Sequence, residues 1–118
     1  MYKQEGEPKL YIISGFVDFR CGIYSLCSKI LSIDPSIDLT SNSAFIFMCK
    51  RKDNIKILYW GGDGFWLLQH RLEESKYIWL NEENHINSIT KKQLEWLLDG
   101  LPMNPKSLHK EVKKRVLI

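Results

Sequence analysis

The sequence predicts an α+β domain, with an antiparallel sheet of about four to five strands packed against an N-terminal helix (about 19–33) and a C-terminal helix (about 91–99). Three observations support this fold class. Two apolar, aromatic-rich runs at 55–60 and 65–72 flank a glycine-rich turn, which is typical of a β-hairpin. Apolar residues recur at helical spacing before residue 33, and a leucine stripe follows a helix-start signal at residue 90.

The central hairpin, residues 55–72, has a loop that reads GGDG at 61–64. Glycine and aspartate tolerate the positive φ angles that tight hairpin loops need. If Trp60 pairs with Phe65, alternation divides the side chains between two faces. One face then carries Ile55, Ile57, Tyr59, Trp66, Leu68, His70 and Leu72, and the other carries Lys56, Leu58, Trp60, Phe65, Leu67, Gln69 and Arg71. We expect the first face to pack on the helices and the second to point outward.

The remaining elements follow from local signals. Short runs of β-forming residues predict strands at 10–13 and 44–49, with a further short strand at 77–80 and a polar loop at 81–88. Asp18 is placed to cap the first helix, because a carboxylate there accepts free backbone N–H groups. Thr90 and Gln93 fit a capping box for the last helix, which Gly100 should end. We expect residues 104–118 to form a basic tail or a short helix.

Size and composition favour a single domain over residues 1–118. The net charge is +3, and no apolar run approaches the length of a membrane span. The first residues lack the apolar core of a signal peptide, so we expect a cytoplasmic protein without a membrane partner. Three cysteines without framework spacing are expected to be buried, reduced thiols.

No catalytic constellation is legible in the sequence. The aspartates fall at predicted caps and turns, where backbone chemistry explains them. The three histidines share no ligand spacing with the cysteines, and no phosphate-binding loop or nucleophile motif is present. We therefore predict a non-enzymatic protein with no metal, no cofactor and no small-molecule substrate. A nuclease is the least favoured alternative.

Basic residues cluster at 50–56 and 106–115. Together with the aromatic residues of the second hairpin face, they suggest a surface that neutralises phosphates and stacks on bases. The alternative is structural, because the same aromatic residues can cover a second small core and the cations can be ordinary solvated side chains. Trp96, opposite the leucine stripe, either marks a partner surface or is covered by the tail.

Three blocks of the sequence resemble one family. Residues 17–20 read VDFR and 22–23 read GI; residues 55–60 read IKILYW, followed by the 62–65 turn and RLE at 71–73; residues 93–94 read QL and 96–101 read WLLDGL. In this order they resemble the Orf2-like accessory protein, TnpB, of bacterial insertion sequences that also encode a separate large transposase. That protein is unrelated to the RNA-guided nuclease of the same name. Cys21, Gly61 and the pair Gln69-His70 depart from the family pattern.

The resemblance implies a transposition accessory protein that binds DNA at the transposon ends, the cognate transposase, or both. A pure protein-interaction subunit without DNA contact is the main alternative. Among the family's motif positions, Gly22, Gly64 and Asp18 are interpreted as structural. The candidates for contact with DNA or transposase are Arg20, Arg51, Lys52, Lys56, Trp60, Arg71 and Trp96.

Overall fold

A computed structural model of the chain describes residues 6–78 and 85–99. Its elements, in chain order, are β1 (Lys9–Ile13), α1 (Ile23–Ile33), β2 (Ser43–Met48), β3 (Asn54–Trp60), β4 (Phe65–Arg71), β5 (Ile86–Ile89) and α2 (Lys91–Leu98). The predicted α+β class, with a central hairpin and two flanking helices, is confirmed. None of the helices within the described ranges is long and apolar enough to cross a membrane.

The five strands form one sheet in the order β4-β3-β2-β1-β5. The sheet is mixed, because β1 runs parallel to β2 while the other neighbours are antiparallel. Helix α1 makes the crossover between the two parallel strands, which is the usual way to join them. As a result, the C-terminal ends of β1 and β2 lie at the same edge of the sheet.

Strand β5 corrects the predicted polar loop at 81–88. Its polar residues Asn87 and Ser88 pair with β1, while Ile86 and Ile89 pack against the two cores on opposite sides of the sheet. Pairing with a distant strand outweighs weak local propensity here. The predicted strand at 77–80 is not formed at 77–78, where Tyr77 is buried in irregular backbone. Residues 79–80 and the tail at 104–118 lie outside the described residues.

Helices cover both faces of the sheet. On one face, Leu26 and Ile30 of α1 pack with Phe45, Phe47 and Leu58. On the other face, Leu97 of α2 joins a separate core cluster of strand residues and Tyr77, whose remaining members are Ile12, Ile46, Met48 and Ile55. Strand β2 is buried along its whole length as a consequence.

The hairpin has the predicted register but not the predicted exposure. Trp60 pairs with Phe65, and their rings meet edge to face at 4.9 Å. The loop is closed by the Gly61 N–H, which donates to the Gly64 carbonyl at 2.8 Å, and Gly62 has a φ of 94°. The face expected to point outward instead carries Leu58 into the core under α1. The prediction of an outward basic wall is therefore wrong, because a second helical layer covers that side.

The helix starts show one correct and one wrong capping prediction. Thr90 and Gln93 form the expected capping box at α2, with bonds of 2.9 and 3.0 Å. Helix α1 begins at Ile23 after Gly22, which provides no side-chain cap. Asp18 is not its N-cap, because its carboxylate is engaged by Arg20 in the preceding turn.

Candidate nucleic-acid interface

A groove of about 480 Å³ opens at the edge of the sheet where β1 and β2 end, β3 begins and β4 ends. Its first wall is the loop after β1, residues 16–19. Its second wall is the turn between β2 and β3, and Arg71 at the end of β4 completes it. We call this feature the basic groove; the lining residues used below are Phe16, Asp18, Phe19, Arg51, Asn54 and Arg71, together with Lys50.

The first wall is held in place by two interactions with the sheet. The backbone of Val17 bridges to Cys49, and its N–H donates to the Met48 carbonyl at 2.9 Å. Lys56 of β3 donates through Nζ to the carbonyl oxygens of Phe19 and Cys21, the latter at 2.6 Å. The loop is therefore tied at both of its ends to neighbouring strands.

Lys56 is not a solvent-facing cation, which corrects its predicted role in contact with DNA or transposase. It is only 5% exposed, because the loop after β1 folds across its ammonium group and its carbonyl oxygens accept hydrogen bonds from that group. Carbonyl oxygens offset part of the cost of burying the charge. Lys56 acts on the basic groove indirectly, by fixing the loop that carries Phe19.

Asp18 and Arg20 form a local pair at the mouth of this loop. The Asp18 carboxylate accepts from the Arg20 backbone N–H at 2.8 Å, from Nε at 3.1 Å and from Nη2 at 2.9 Å. These hydrogen bonds from Arg20 lower the pKa of Asp18 to about 2. The Arg20 side chain is 77% exposed, but its charge is largely balanced by this carboxylate.

The rim carries cations whose ion pairs are loose. Arg51 Nε lies 3.7 Å from an Asp53 carboxylate oxygen, and Arg71 Nε lies 4.0 Å from one of Glu73. Both arginine side chains are more than half exposed, and Lys50 beside Arg51 is exposed as well. Long, solvated ion pairs are weak, so these guanidinium groups are available to an incoming anion.

Aromatic and apolar groups lie between these cations. Phe19 is 60% exposed on the first wall, which is unusual for a large apolar side chain held in a fixed loop. Phe16 lines the groove nearby, and Lys52 Nζ lies 6.0 Å from the centre of its ring. Burial raises the pKa of the Cys49 thiol, which keeps it neutral.

Asn54 contributes a buried hydrogen-bond acceptor. Its side chain is 6% exposed and lines the groove at the start of β3, opposite Arg71 in the strand register. No donor within the described residues reaches its Oδ1 atom. A buried, unpartnered amide oxygen is uncommon in folded proteins.

The structure thus brings some predicted site residues together and separates others. Arg51 and Arg71 both line the groove, and Lys52 Nζ lies 6.0 Å from the centre of the Phe16 ring. Trp60 is half-buried at the hairpin end of the sheet, and Trp96 is half-buried on α2; neither lines the groove.

Sequence reasoning missed three contributors to the groove. Phe16 precedes the VDFR block and was not singled out, and Phe19 lies within the block and was interpreted only as part of that motif. Asn54 had no sequence signal, because its burial depends on the fold of the turn before it. Within residues 6–78 and 85–99, no three His, Cys, Asp or Glu side chains come together in a way that could hold a metal ion.

The fold and the groove define a small α+β protein organised around a basic, aromatic-lined groove. The comparison with known families identifies it more closely. Residues 8–107 match the family model described as IS66 Orf2 like protein, and the chain belongs to that family. The resemblance predicted from the three sequence blocks is confirmed, and the family places the chain among the accessory proteins of transposition.

One curated relative matches over most of its length. It is the uncharacterized protein y4hO of Sinorhizobium fredii (strain NBRC 101917 / NGR234), which is 28% identical over 93 residues. The match covers 79% of this chain and 80% of the relative. No solved structure matches the chain.

Proposed function

We propose that this transposition accessory protein contacts element DNA through the rim of the basic groove. The observation that supports the proposal most strongly is the convergence of Arg51, Lys50 and Arg71, from two separate segments, around one opening. Clustered cations that face one surface supply the electrostatic footprint expected for a polyanionic partner.

The rim arginines can bind a phosphate group more closely than they bind their carboxylate partners within the chain. Arg51 and Arg71 have exchangeable pairs at 3.7 and 4.0 Å, and Arg71 faces a Glu73 side chain that is itself 78% exposed. A phosphate accepts two parallel hydrogen bonds from one guanidinium group, at shorter distances than these pairs achieve. Binding would replace weak ion pairs with stronger ones and release counterions from the DNA.

A salt series of gel-shift measurements on the terminal repeats of the element tests this contact. We expect the logarithm of the binding constant to fall steeply with the logarithm of salt concentration. In the double variant Arg51→Ala/Arg71→Ala, the slope should decrease in magnitude by roughly 2, because each phosphate contact contributes about 0.9. Lys56 stays unchanged in this variant, because it is buried and holds the groove loop.

The matched control removes two exposed cations from the opposite ends of the strands, away from the groove. Lys9 is the first residue of β1. Lys92 lies in the first turn of α2, just after Ile89, which pairs with Leu10 of β1. The double variant Lys9→Ala/Lys92→Ala loses the same net charge and should keep the wild-type slope. Absence of binding even at low salt, or equal slopes for the two double variants, contradicts the proposal.

A second candidate function is docking of the cognate transposase, which the exposed edge of the sheet favours. Strand β4 is an edge strand, and its Trp66 and Leu68 side chains are 40% and 51% exposed. Leu98 of α2, also exposed, lines a shallow depression with Leu68. Apolar side chains grouped beside a strand edge that no other strand of residues 6–78 and 85–99 pairs with are typical of a protein-binding surface.

Co-purification with the transposase in the presence of nuclease tests this second function. The variant Leu68→Lys should lose the transposase while keeping its fold. Trp96→Ala tests the predicted partner role of that indole in the same assay. Retention of the transposase by both variants contradicts docking at this face.

We propose that neither role involves catalysis by this chain. The described part of the chain offers cations, aromatic rings and one unpartnered acceptor in the groove, which suit binding. An assay for metal-dependent strand cleavage tests this point. Cleavage that is lost on a single aspartate substitution would establish a nuclease instead.

A further inference from the structure

We infer that the basic groove receives an unpaired nucleobase of single-stranded DNA, with the adjoining phosphates on the arginine rim. This inference rests on the proposed DNA contact and names the form of DNA that the site takes. It follows from the combination of cationic, aromatic and hydrogen-bonding groups within one opening.

The groove combines a charged part and an apolar part, as a nucleotide combines a phosphate and a base. Its rim carries Arg51 and Arg71, while Phe16, Phe19 and the buried Cys49 make its interior apolar. Contact with duplex phosphates alone requires cations on a surface and no apolar cavity. A base that has left its stack presents an apolar, planar body attached to an anionic backbone, and both parts have a counterpart here.

Phe19 is placed to act as a stacking platform. Its ring is 60% exposed, yet its backbone is fixed, because its carbonyl accepts from the buried Lys56 ammonium group. A fixed aromatic ring loses little conformational freedom when a base stacks on it. Base–aromatic stacking is tolerant of sequence, which suits a protein that holds single strands.

Asn54 supplies the second, independent observation. Asn54 lines the same groove and is only 6% exposed, and its Oδ1 atom has no donor among the described residues. The amino and imino N–H groups on the edge of an unpaired base are donors of the kind it lacks. A backbone N–H of a protein segment is also a donor, but the rim of Arg51 and Arg71 favours a ligand with repeated negative charge.

Fluorescence anisotropy with short labelled oligonucleotides tests the inference on the full chain. The probes are a mixed-sequence single strand and the same strand with abasic sites in place of its bases. We expect wild-type protein to bind the base-containing strand roughly five- to tenfold more tightly, the lower part of the range for stacking on an aromatic side chain. Phe19→Ala should remove this difference, and Phe19→Trp should restore it.

Tyr24→Ala is the matched control. Tyr24 is 85% exposed on α1 and does not line the groove, so its removal deletes an exposed ring of similar size elsewhere. This variant should keep the wild-type preference for the base-containing strand. Because Phe19 and Tyr24 are both largely exposed, neither substitution removes core packing.

Three results would overturn the inference, and they separate it from the proposed function. Equal affinity of wild-type protein for both strands, together with weaker binding of both by Arg51→Ala/Arg71→Ala, would leave the DNA contact standing and remove the base site. Absence of binding to any DNA would remove both. Binding of purified transposase without DNA, lost in Phe19→Ala and kept in Tyr24→Ala, would assign the groove to a protein segment.

Discussion

The two faces of the β3–β4 hairpin differ sharply in how they are covered. On the α1 side, Leu58 is 1% exposed and Lys56 is 5% exposed. On the other side, Leu68 is 51% exposed and Trp66 is 40% exposed; these two lie on β4, at the edge of the sheet, whereas Leu58 and Lys56 lie on β3. The cause lies outside the hairpin: α1 and the loop before it extend over β3, whereas Leu97 of α2 packs mainly over β1, β2 and the start of β3. Alternation therefore separates two faces but does not say which one a helix covers.

The largest expected effect comes from matched leucine truncations on the two faces. Leu58→Ala should lower the free energy of unfolding by about 2–5 kcal/mol, because it leaves a cavity in a closed core. Leu68→Ala should change it by less than about 1 kcal/mol, since half of that side chain is already in water. Urea denaturation measures both values. Equal losses of stability in the two variants would mean that the face carrying Leu68 is covered in solution.

Lys56→Met tests whether the buried ammonium group organises the groove loop. The substitution keeps most of the volume but leaves the Phe19 and Cys21 carbonyls without their donor. We expect a loss of about 2 kcal/mol in the free energy of unfolding, in the range for unsatisfied buried polar groups. Denaturant titration gives the value, and hydrogen exchange should show faster opening of the 17–22 loop.

The control for this variant is Lys50→Met, which removes an exposed lysine a few residues away. It should change the free energy of unfolding by less than about 0.5 kcal/mol, as surface substitutions usually do. If Lys56→Met is as stable as Lys50→Met, the carbonyls are solvated without the lysine and the loop does not depend on it.

Elements with local chemical signals were predictable from the sequence. The GGDG loop fixed the pairing of Trp60 with Phe65, and the spacing of Thr90 and Gln93 gave the capping box. Each depends on groups within a few residues of one another, so tertiary context has little to change. The family resemblance was also readable, because its blocks keep their order and spacing through the chain.

Features that depend on distant contacts were not predictable. The parallel pairing of β1 with β2 and the pairing of polar β5 residues with β1 require knowledge of the whole sheet. Lys56 lies on a strand whose side chains alternate between the two faces of the sheet. No residue near it in the sequence indicates that a loop 35 residues earlier covers its ammonium group. The candidate site was consequently half predicted: its rim arginines were named, while Phe19 and Asn54 emerged from the fold.

Thr90→Ala sharpens the comparison by weakening α2, the helix over the less covered face. Loss of the Thr90 side-chain bond to the Gln93 N–H should lower the free energy of unfolding by about 1 kcal/mol. Thermal or urea unfolding measures the change. Thr90→Ser keeps the hydroxyl group and should recover most of the loss; failure to do so would show that the threonine methyl group, rather than the cap, carries the effect.

The smallest effect concerns the ion pair of Asp18 and Arg20, which lies in the turn before α1. Hydrogen bonds from Arg20 hold the folded pKa of Asp18 at about 2, below its usual 3.8. A carboxyl group with a lowered folded pKa stabilises the native state above its unfolded pKa and loses that contribution as pH falls through the folded value. The contribution should therefore be fully present above about pH 4 and disappear toward pH 2. Because the pair is solvent-exposed, the change in stability should be slight.

Carboxyl titration by NMR follows this group directly. In Arg20→Ala, the pKa of Asp18 should rise toward its usual value, because the two guanidinium hydrogen bonds at 3.1 and 2.9 Å are lost. Lys56→Met should raise it by less, since the lysine acts on Asp18 only through its charge and more weakly than the hydrogen bonds from Arg20. An equal or larger rise in Lys56→Met would mean that the buried ammonium group sets the electrostatics of the loop. Lys56 would then control both the position of the 16–19 loop and the charge state of Asp18, and the Arg20 pair would have only a minor part.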